Sequence, residues 1–387
     1  MKPDANPSFE KFIEASRNLG KLISVENVSG NEKPYTNAVL DAIRNEGLMS
    51  VVVPPSMGGP GLDLHSIAKI NFNIARVSAS AALIYAMHMS QAYCIVQHDN
   101  QSAFFDDLQK RMVRDQLLIG SATSEKGVGG DIFGSVCEIA PSADGRILLK
   151  KDCPIISYFE LCGAVLITAM DKRSGGKPKQ VLIAAESKDI EFTQGPEMQL
   201  TGLRGIVNRA YELNVRCDPE AIFSEGFVKI QRDTMTPVVN ILWATVWSGI
   251  AWQAIDRLKR AVAKEGKSDA TSIVAFRMSA LIDKHYVMNA IIRDSINEYQ
   301  KLGRSQDIVK GMSFSARSAR LKVVGADLLN DIVRGALDLI GMRGYALDGS
   351  YSLSELVRDA LSAPLMVSNL RLTLRNSKIE RYVDEVL

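Results

Sequence analysis

The chain has no block of like charge, no cysteine pair at CxxC spacing, no internal repeat and no low-complexity tail. It also lacks any apolar run approaching the ~18 residues of a membrane span. Each absence excludes something. The 46 basic and 44 acidic residues are spread along 387 positions and leave a formal charge of +2, so neither nucleic acid nor an anionic membrane is expected as the main partner. The five cysteines (Cys94, Cys137, Cys153, Cys162, Cys217) are odd in number, which argues for reduced thiols over a disulfide frame or zinc site. The N-terminus, MKPDANPSFEKFIEASRNLGKL, is charged from the start and has neither an apolar h-region nor an Arg-rich, acid-poor character. No targeting peptide is read there, and a cytoplasmic protein is expected.

What is present is an ordinary globular composition, 46% hydrophobic and 23% charged, in a chain long enough for two or three domains. From Phe9 to about Gly47 the apolar spacing is helical, and Gly47 suits a left-handed cap. VVVPPSMGGPGLD cannot be helix and predicts an ordered loop. LHSIAKINFNIARVSASAALIYAMHMSQAYCIVQ then reads as one or two buried helices, carrying His88 and followed by His98, and Asp106 to Arg114 as an amphipathic one. Beyond Gly130 the period drops from about 3.6 to 2: RILLKK, GAVLITAM, QVLIAAE and YELNVR predict antiparallel strands separated by turns such as SADG and SGGKPK. From about Pro237 the helical period returns. A stripe of Leu321, Val324, Leu328, Ile332, Ala336 and Leu339 marks one long helix, and four helices would complete a bundle. The fold class is α+β, with an N-terminal helical domain (1–117), a central antiparallel β domain (118–228) and a C-terminal four-helix bundle (229–387).

The stretch IGSATSEKGVGGD, Ile119 to Asp131, lies where the helical part gives way to strands. Its hydroxyls (Ser121, Thr123, Ser124) and glycines (Gly127, Gly129, Gly130) suit a backbone cradle for a planar ring or a phosphate, and equally a plain interdomain turn. Trp243, Trp247 and Trp252 crowd one helix, as pocket wall or as bundle core.

In this order and at these spacings, EGLMSVVVPPSMGGPGL, SEKGVGGD, IIS, GLRG, GMRGY and VRDA resemble the acyl-CoA dehydrogenase superfamily over nearly the whole chain. The resemblance implies FAD. It places Ser124 and Glu125, with Gly129 and Gly130, against the flavin and its pyrophosphate, and Ser157 at the N5 edge. It implies that Gly341 and Gly344 meet the adenine half of FAD from a neighbouring subunit, hence a homodimer or homotetramer. Asp338, Gly341 and Met342 depart from the family's usual Gln followed by two glycines, and no RxxFG motif follows the first bundle helix.

Dehydrogenation of an acyl thioester needs a carboxylate to take the α-proton. At the position where most members carry that Glu, this chain has Val367, in APLMVSN; the other known position falls near Val239. Three readings remain open. The first is dehydrogenation of an acyl thioester, on coenzyme A or a carrier protein, by a non-standard base (Glu355, Asp359 or His88), with electron-transfer flavoprotein or oxygen as acceptor. The second is a monooxygenase of the same fold using reduced flavin and oxygen, with Ser157, His88 or Asn369 as donor. The third is a non-catalytic partner subunit. Arg358 and Asp359 are expected to form a structural ion pair.

Overall fold

The computed structural model describes residues 7–23, 32–98, 102–129, 134–173, 177–264, 273–302 and 308–379. Helices come first: α1 (Pro7–Asn18), α2 (Glu32–Asn45), α3 (Leu64–Ala75), α4 (Ala79–His98) and α5 (Ala103–Arg114). The apolar stretch is two helices, and the first is capped by Asp63, whose carboxylate accepts the Ser66 N–H at 2.8 Å. The second, α4, is buried on nearly every face and forms the centre of the first part.

Two sheets follow. One contains β1 (Ile119–Ala122), β4 (Ala164–Asp171) and β5 (Lys179–Glu186), in the order β1-β4-β5. The other contains β2 (Ala140–Pro141), β3 (Ile147–Ser157), β6 (Ile190–Glu197) and β7 (Asn208–Cys217), in the order β2-β3-β7-β6. The expectation of antiparallel pairing holds with one exception: β1 and β4 run parallel, with Ile119 opposite Ala164. Parallel neighbours need a long crossover, and the excursion through β2 and β3 supplies it. Strand β6 gave no sequence signal because it is an edge strand whose residues are mostly exposed, so its IEFTQGPE lacks the apolar alternation of a half-buried strand.

The last part begins with α6 (Phe227–Ile230), passes through a π-helical turn at Gln231–Met235 and continues as α7 (Thr236–Lys264). In that turn the Thr236 N–H reaches back to the Gln231 carbonyl, and Pro237 has no N–H with which to resume the ladder at once. The helix Phe227–Lys264 is long and apolar enough to cross a membrane, but 83% of its apolar window is buried inside the protein, as in a core helix. Helices α8 (Ile273–Leu302) and α9 (Ile308–Ile340) pack on it, and after the short α10 (Met342–Tyr345) and α11 (Ser354–Ala360), α12 (Asn369–Ile379) lies against α9. The buried stripe of α9 is offset from the expected one. Val324 is exposed, and Leu321, Lys322, Ala326, Leu329, Ile332, Val333, Ala336 and Ile340 face inward.

The three parts meet at one junction. The GLRG loop joining β6 to β7 lies so close to α11 that a Cβ on Gly202 would sit 2.2 Å from the Arg358 carbonyl oxygen, and one on Gly205 would sit 1.9 Å from Thr36 Oγ1 of α2. The Leu203 N–H donates to Asp359 Oδ1 at 2.6 Å, and the Gly205 N–H to Ser80 Oγ of α4 at 3.3 Å. Arg358 does not pair with its neighbour Asp359. Its guanidinium reaches Glu32 of α2 at 2.9 Å, because successive residues of a helix point apart.

Candidate active site

The Gly-rich stretch leaves β1 and folds over the far end of β3. Ser124 Oγ donates to the Ile155 carbonyl at 2.8 Å, and the Lys126 N–H to the Asp152 carbonyl at 3.0 Å. Pairing of β3 with β7 is broken by a bulge between Cys153 and Ile156, which re-aims the strand end. Just beyond it Ser157 Oγ donates to Asn208 Oδ1 at 2.6 Å, and Asn208 Nδ2 donates to the Ile206 carbonyl. Tyr158, next in line, has φ +45°, a strained value for a bulky residue. Ser124 and Ser157 thus lie near one end of β3.

Glu125 has a different neighbourhood from Ser124. Its Oε2 accepts from Lys151 Nζ at 2.8 Å and from Ser135 Oγ at 2.7 Å, and Lys151, with no side-chain exposure, also donates to the Thr168 carbonyl. The loop is therefore floored by a buried ion pair. Above it Gly127 (φ +90°) and Gly129 (φ +61°) have open space where a Cβ would stand. Lys126 and Gly127 form a hydrogen-bonded turn, and no described hydrogen bond takes the N–H of Gly127 or Gly129. N–H groups of left-handed glycines in a turn can form an anion-binding concavity, and this fits a flavin phosphate. Gly130 lies outside the described residues.

The remaining candidates lie elsewhere. His88 is fully buried in α4: its Nδ1 accepts the Ile119 N–H at 2.9 Å and its Nε2 donates to the Met49 carbonyl at 2.7 Å. Burial lowers its pKa to about 4, so the ring is a neutral strut between α4, β1 and the loop after α2. Asp359 sits in the three-part junction, 2% exposed; burial, then the charge of Glu355, pushes its carboxyl well above the usual range. Glu355 lines a separate cavity of about 630 Å³ with Tyr35, Arg76 and Arg257. Gly341 (φ +71°) ends α9, and Gly344 packs on Ile340 and Leu337 of that helix. No described hydrogen bond joins this turn to Ser124 or Ser157.

Val367 is 55% exposed at φ +45°, on the turn between α11 and α12. That turn is tied down from beneath by Lys322, which the sequence reading passed over. Its Nζ donates to the Ala363 carbonyl at 2.9 Å and to Asn369 Oδ1 at 2.6 Å, and stands 5.7 Å from the centre of the Trp247 ring. Burial lowers the pKa of Lys322 to about 8. Trp243 is also buried, and its indole N–H has no acceptor among the described residues. Lys151 carried a readable signal: strand alternation places it on the inward face with Ile147, Leu149 and Cys153.

Helices, two sheets and helices again, with a glycine cradle at the helix-to-sheet passage, define a three-part α+β fold. Residues 22–103 match the family model for the acyl-CoA dehydrogenase N-terminal domain. The chain is 24% identical over 374 residues to the probable acyl-CoA dehydrogenase FadE25 of Mycobacterium tuberculosis, covering 92% of each. Among solved structures, FMN-bound TdsC from Paenibacillus sp. A11-2 superposes with a TM-score of 0.81 at 16% identity, covering 95% of this chain and 96% of that one. Butyryl-CoA dehydrogenase from Megasphaera elsdenii superposes with a TM-score of 0.77 at 17% identity, covering 98% and 100%. The chain thus matches the acyl-CoA dehydrogenase family in its N-terminal part and shares that fold over nearly its whole length.

Proposed function

We propose that the protein is a flavin-dependent monooxygenase, working with reduced flavin and molecular oxygen on a small molecule bound over the β3 bulge. One observation carries this reading: where the superfamily places its carboxylate base the chain has Val367 and Val239, and two of the three substitutes are spoken for. His88 has both ring nitrogens bonded and Asp359 is buried under the GLRG loop. TdsC, a dibenzothiophene monooxygenase, supports this reading by its likeness of fold.

A bound reduced flavin would supply two electrons to oxygen, one atom of which enters the substrate while the other leaves as water. The chain would hold the flavin through the N–H groups of Gly127 and Gly129 and through Ser124 and Ser157, the latter kept in place by Asn208. The departures at Asp338 and Met342 fall on the adenine end, which favours FMN over FAD; the mass of the flavin released on denaturation decides between them. Were FAD found instead, Gly341 and Gly344 would meet its adenine half only from a second copy of the chain, and the protein would then be read as a homo-oligomer.

Dehydrogenation of an acyl thioester is the second reading, favoured by the alignment to FadE25 over 92% of both chains, with Glu355 as base. One experiment separates the two. The flavin-loaded protein is mixed anaerobically with a panel of acyl-CoA thioesters, then reduced and exposed to oxygen. We expect no bleaching of the visible flavin band by thioesters and rapid oxygen consumption by the reduced form. Bleaching by a thioester would establish the dehydrogenase half-reaction instead, and failure to bind any flavin would leave the partner subunit.

A further inference from the structure

A second large cavity lies away from the β3 bulge. It is a half-open cleft of about 680 Å³ between α1, α3, α7 and α8, within the ~300–1,000 Å³ of small-molecule sites, and no residue of either sheet lines it. Its inner wall is apolar, formed by Ile13, Ala68, Phe72, Ile292 and Ile296. Its floor is polar, although it is a helix-to-helix contact where apolar packing would cost nothing. Ser248, 1% exposed, donates to Asn289 Oδ1 at 2.8 Å, and Asn289 Nδ2 lies against the His285 ring, 3.2 Å from Nδ1 and 3.3 Å from Nε2. His285 Nε2 meets Ser248 Oγ at 3.0 Å, which closes the ring. Thr245, beside it, takes the Asn71 amide at 2.8 Å. Buried polar groups in such a place are costly unless they are bonded, and here they are bonded to one another along a void.

The mouth carries charge of one sign. Arg17, Lys69, Arg76 and Arg293 line the cavity and no carboxylate does. Arg17 is offset by Glu10 and Glu14, and the Arg76 guanidinium stands 6.0 Å from the centre of the Phe72 ring. Lys69 and Arg293 have no ion-pair partner among the described residues. Burial, then the Lys69 charge, holds the pKa of His65 at the same mouth below its ordinary value. That leaves two unspent cations over an apolar chamber, in a chain whose charges otherwise balance almost evenly.

We propose that this cavity is a second ligand site, independent of the flavin site, for a monoanionic carboxylate with an apolar or aromatic body. The carboxylate lies between Lys69 and Arg293, the body against Phe72, Ile292 and Ile296, and the hydroxyls of Ser248 and Thr245 lie at the inner end.

The test is isothermal titration of the flavin-loaded protein with octanoate, with octylammonium as the charge-reversed control. The variants are Lys69→Glu/Arg293→Glu, at two exposed positions, and Ser157→Ala at the β3 bulge. We expect one equivalent of octanoate to bind, octylammonium not to bind, affinity to fall at least tenfold in the double variant, and Ser157→Ala to leave it unchanged. Absence of saturable octanoate binding would overturn the proposal. So would equal binding of octylammonium, indifference to the double charge reversal in a variant that melts at the wild-type temperature, or loss of octanoate binding in Ser157→Ala. None of these outcomes bears on whether the reduced protein consumes oxygen, so the two assignments fail separately.

Discussion

A buried charge in this protein is tied to a definite partner, and the consequence of removing that partner can be stated. Lys151 and Glu125 share the floor of the glycine cradle with 0% and 3% side-chain exposure. Lys151→Met leaves the Glu125 carboxylate buried without its cation and is expected to cost about 3–5 kcal/mol, while Lys151→Met/Glu125→Gln recovers much of that. Urea unfolding of the two variants checks it; equal loss in both would mean that the pair is not what holds the floor. Lys322 gives a pH dependence. Burial depresses its pKa from 10.5 to about 8, so between those values the unfolded chain binds a proton that the native one does not. Its ammonium burdens the folded state below pH 8, and that burden is relieved as the pH rises toward 10.5. Wild-type stability should therefore rise relative to Lys322→Met over this interval. Parallel pH–stability curves for the two proteins would refute it.

At the scale of elements, the close contacts are at loops. A methyl on Gly202 would meet the Arg358 carbonyl, a backbone atom that cannot rotate away. Gly202→Ala is expected to destabilise by about 1–3 kcal/mol or more, read as a fall in the melting temperature; an unchanged melting temperature would show that the GLRG loop can lift off α11. The elements themselves were largely legible. Period and turn residues located α3, α4, β3, β4, β5 and β7, because each buries a face wide enough to leave a pattern. Edge strand β6 buries too little to do so. The offset of the α9 stripe has a similar origin: Lys322 faces inward, and a lysine on a buried face breaks the apolar period that reveals it. The candidate site was legible in part. Ser124 and Ser157 lie near the same end of β3 while Glu125 is anchored to Lys151 midway along it, and sequence spacing does not register such contacts or that of Asn208 across the sheet. The commitment of His88 and Asp359 to neighbouring backbone was unreadable for the same reason.

At the scale of the whole molecule, a run of apolar side chains lies open on the turn before α12 and on that helix. Leu365 is 75% exposed, Leu370 80% and Leu374 59%. Apolar surface gathered this way marks a contact surface more often than it occurs by chance. If the protein assembles as a homodimer or homotetramer, sedimentation velocity should show the assembly, and Leu370→Lys/Leu374→Lys should shift it toward monomer. A wild-type monomer at micromolar concentration would count against assembly and against a flavin shared between copies.

The three-part junction also bears on how the chain is made. Glu32 is buried, and its ion-pair partner Arg358 lies 326 positions further along. At the ~5–20 residues per second of synthesis, α2 would wait on the order of tens of seconds after emerging before the guanidinium that neutralises it exists. Asp359, which receives the Leu203 N–H from 156 positions upstream, arrives with it. The helical first part therefore leaves the ribosome with an unsatisfied acid at its edge, and the sheets leave it with an undocked loop. Both are locked by a segment translated much later, so a nascent chain stalled before Arg358 should be far more open to proteolysis at these seams than the released protein.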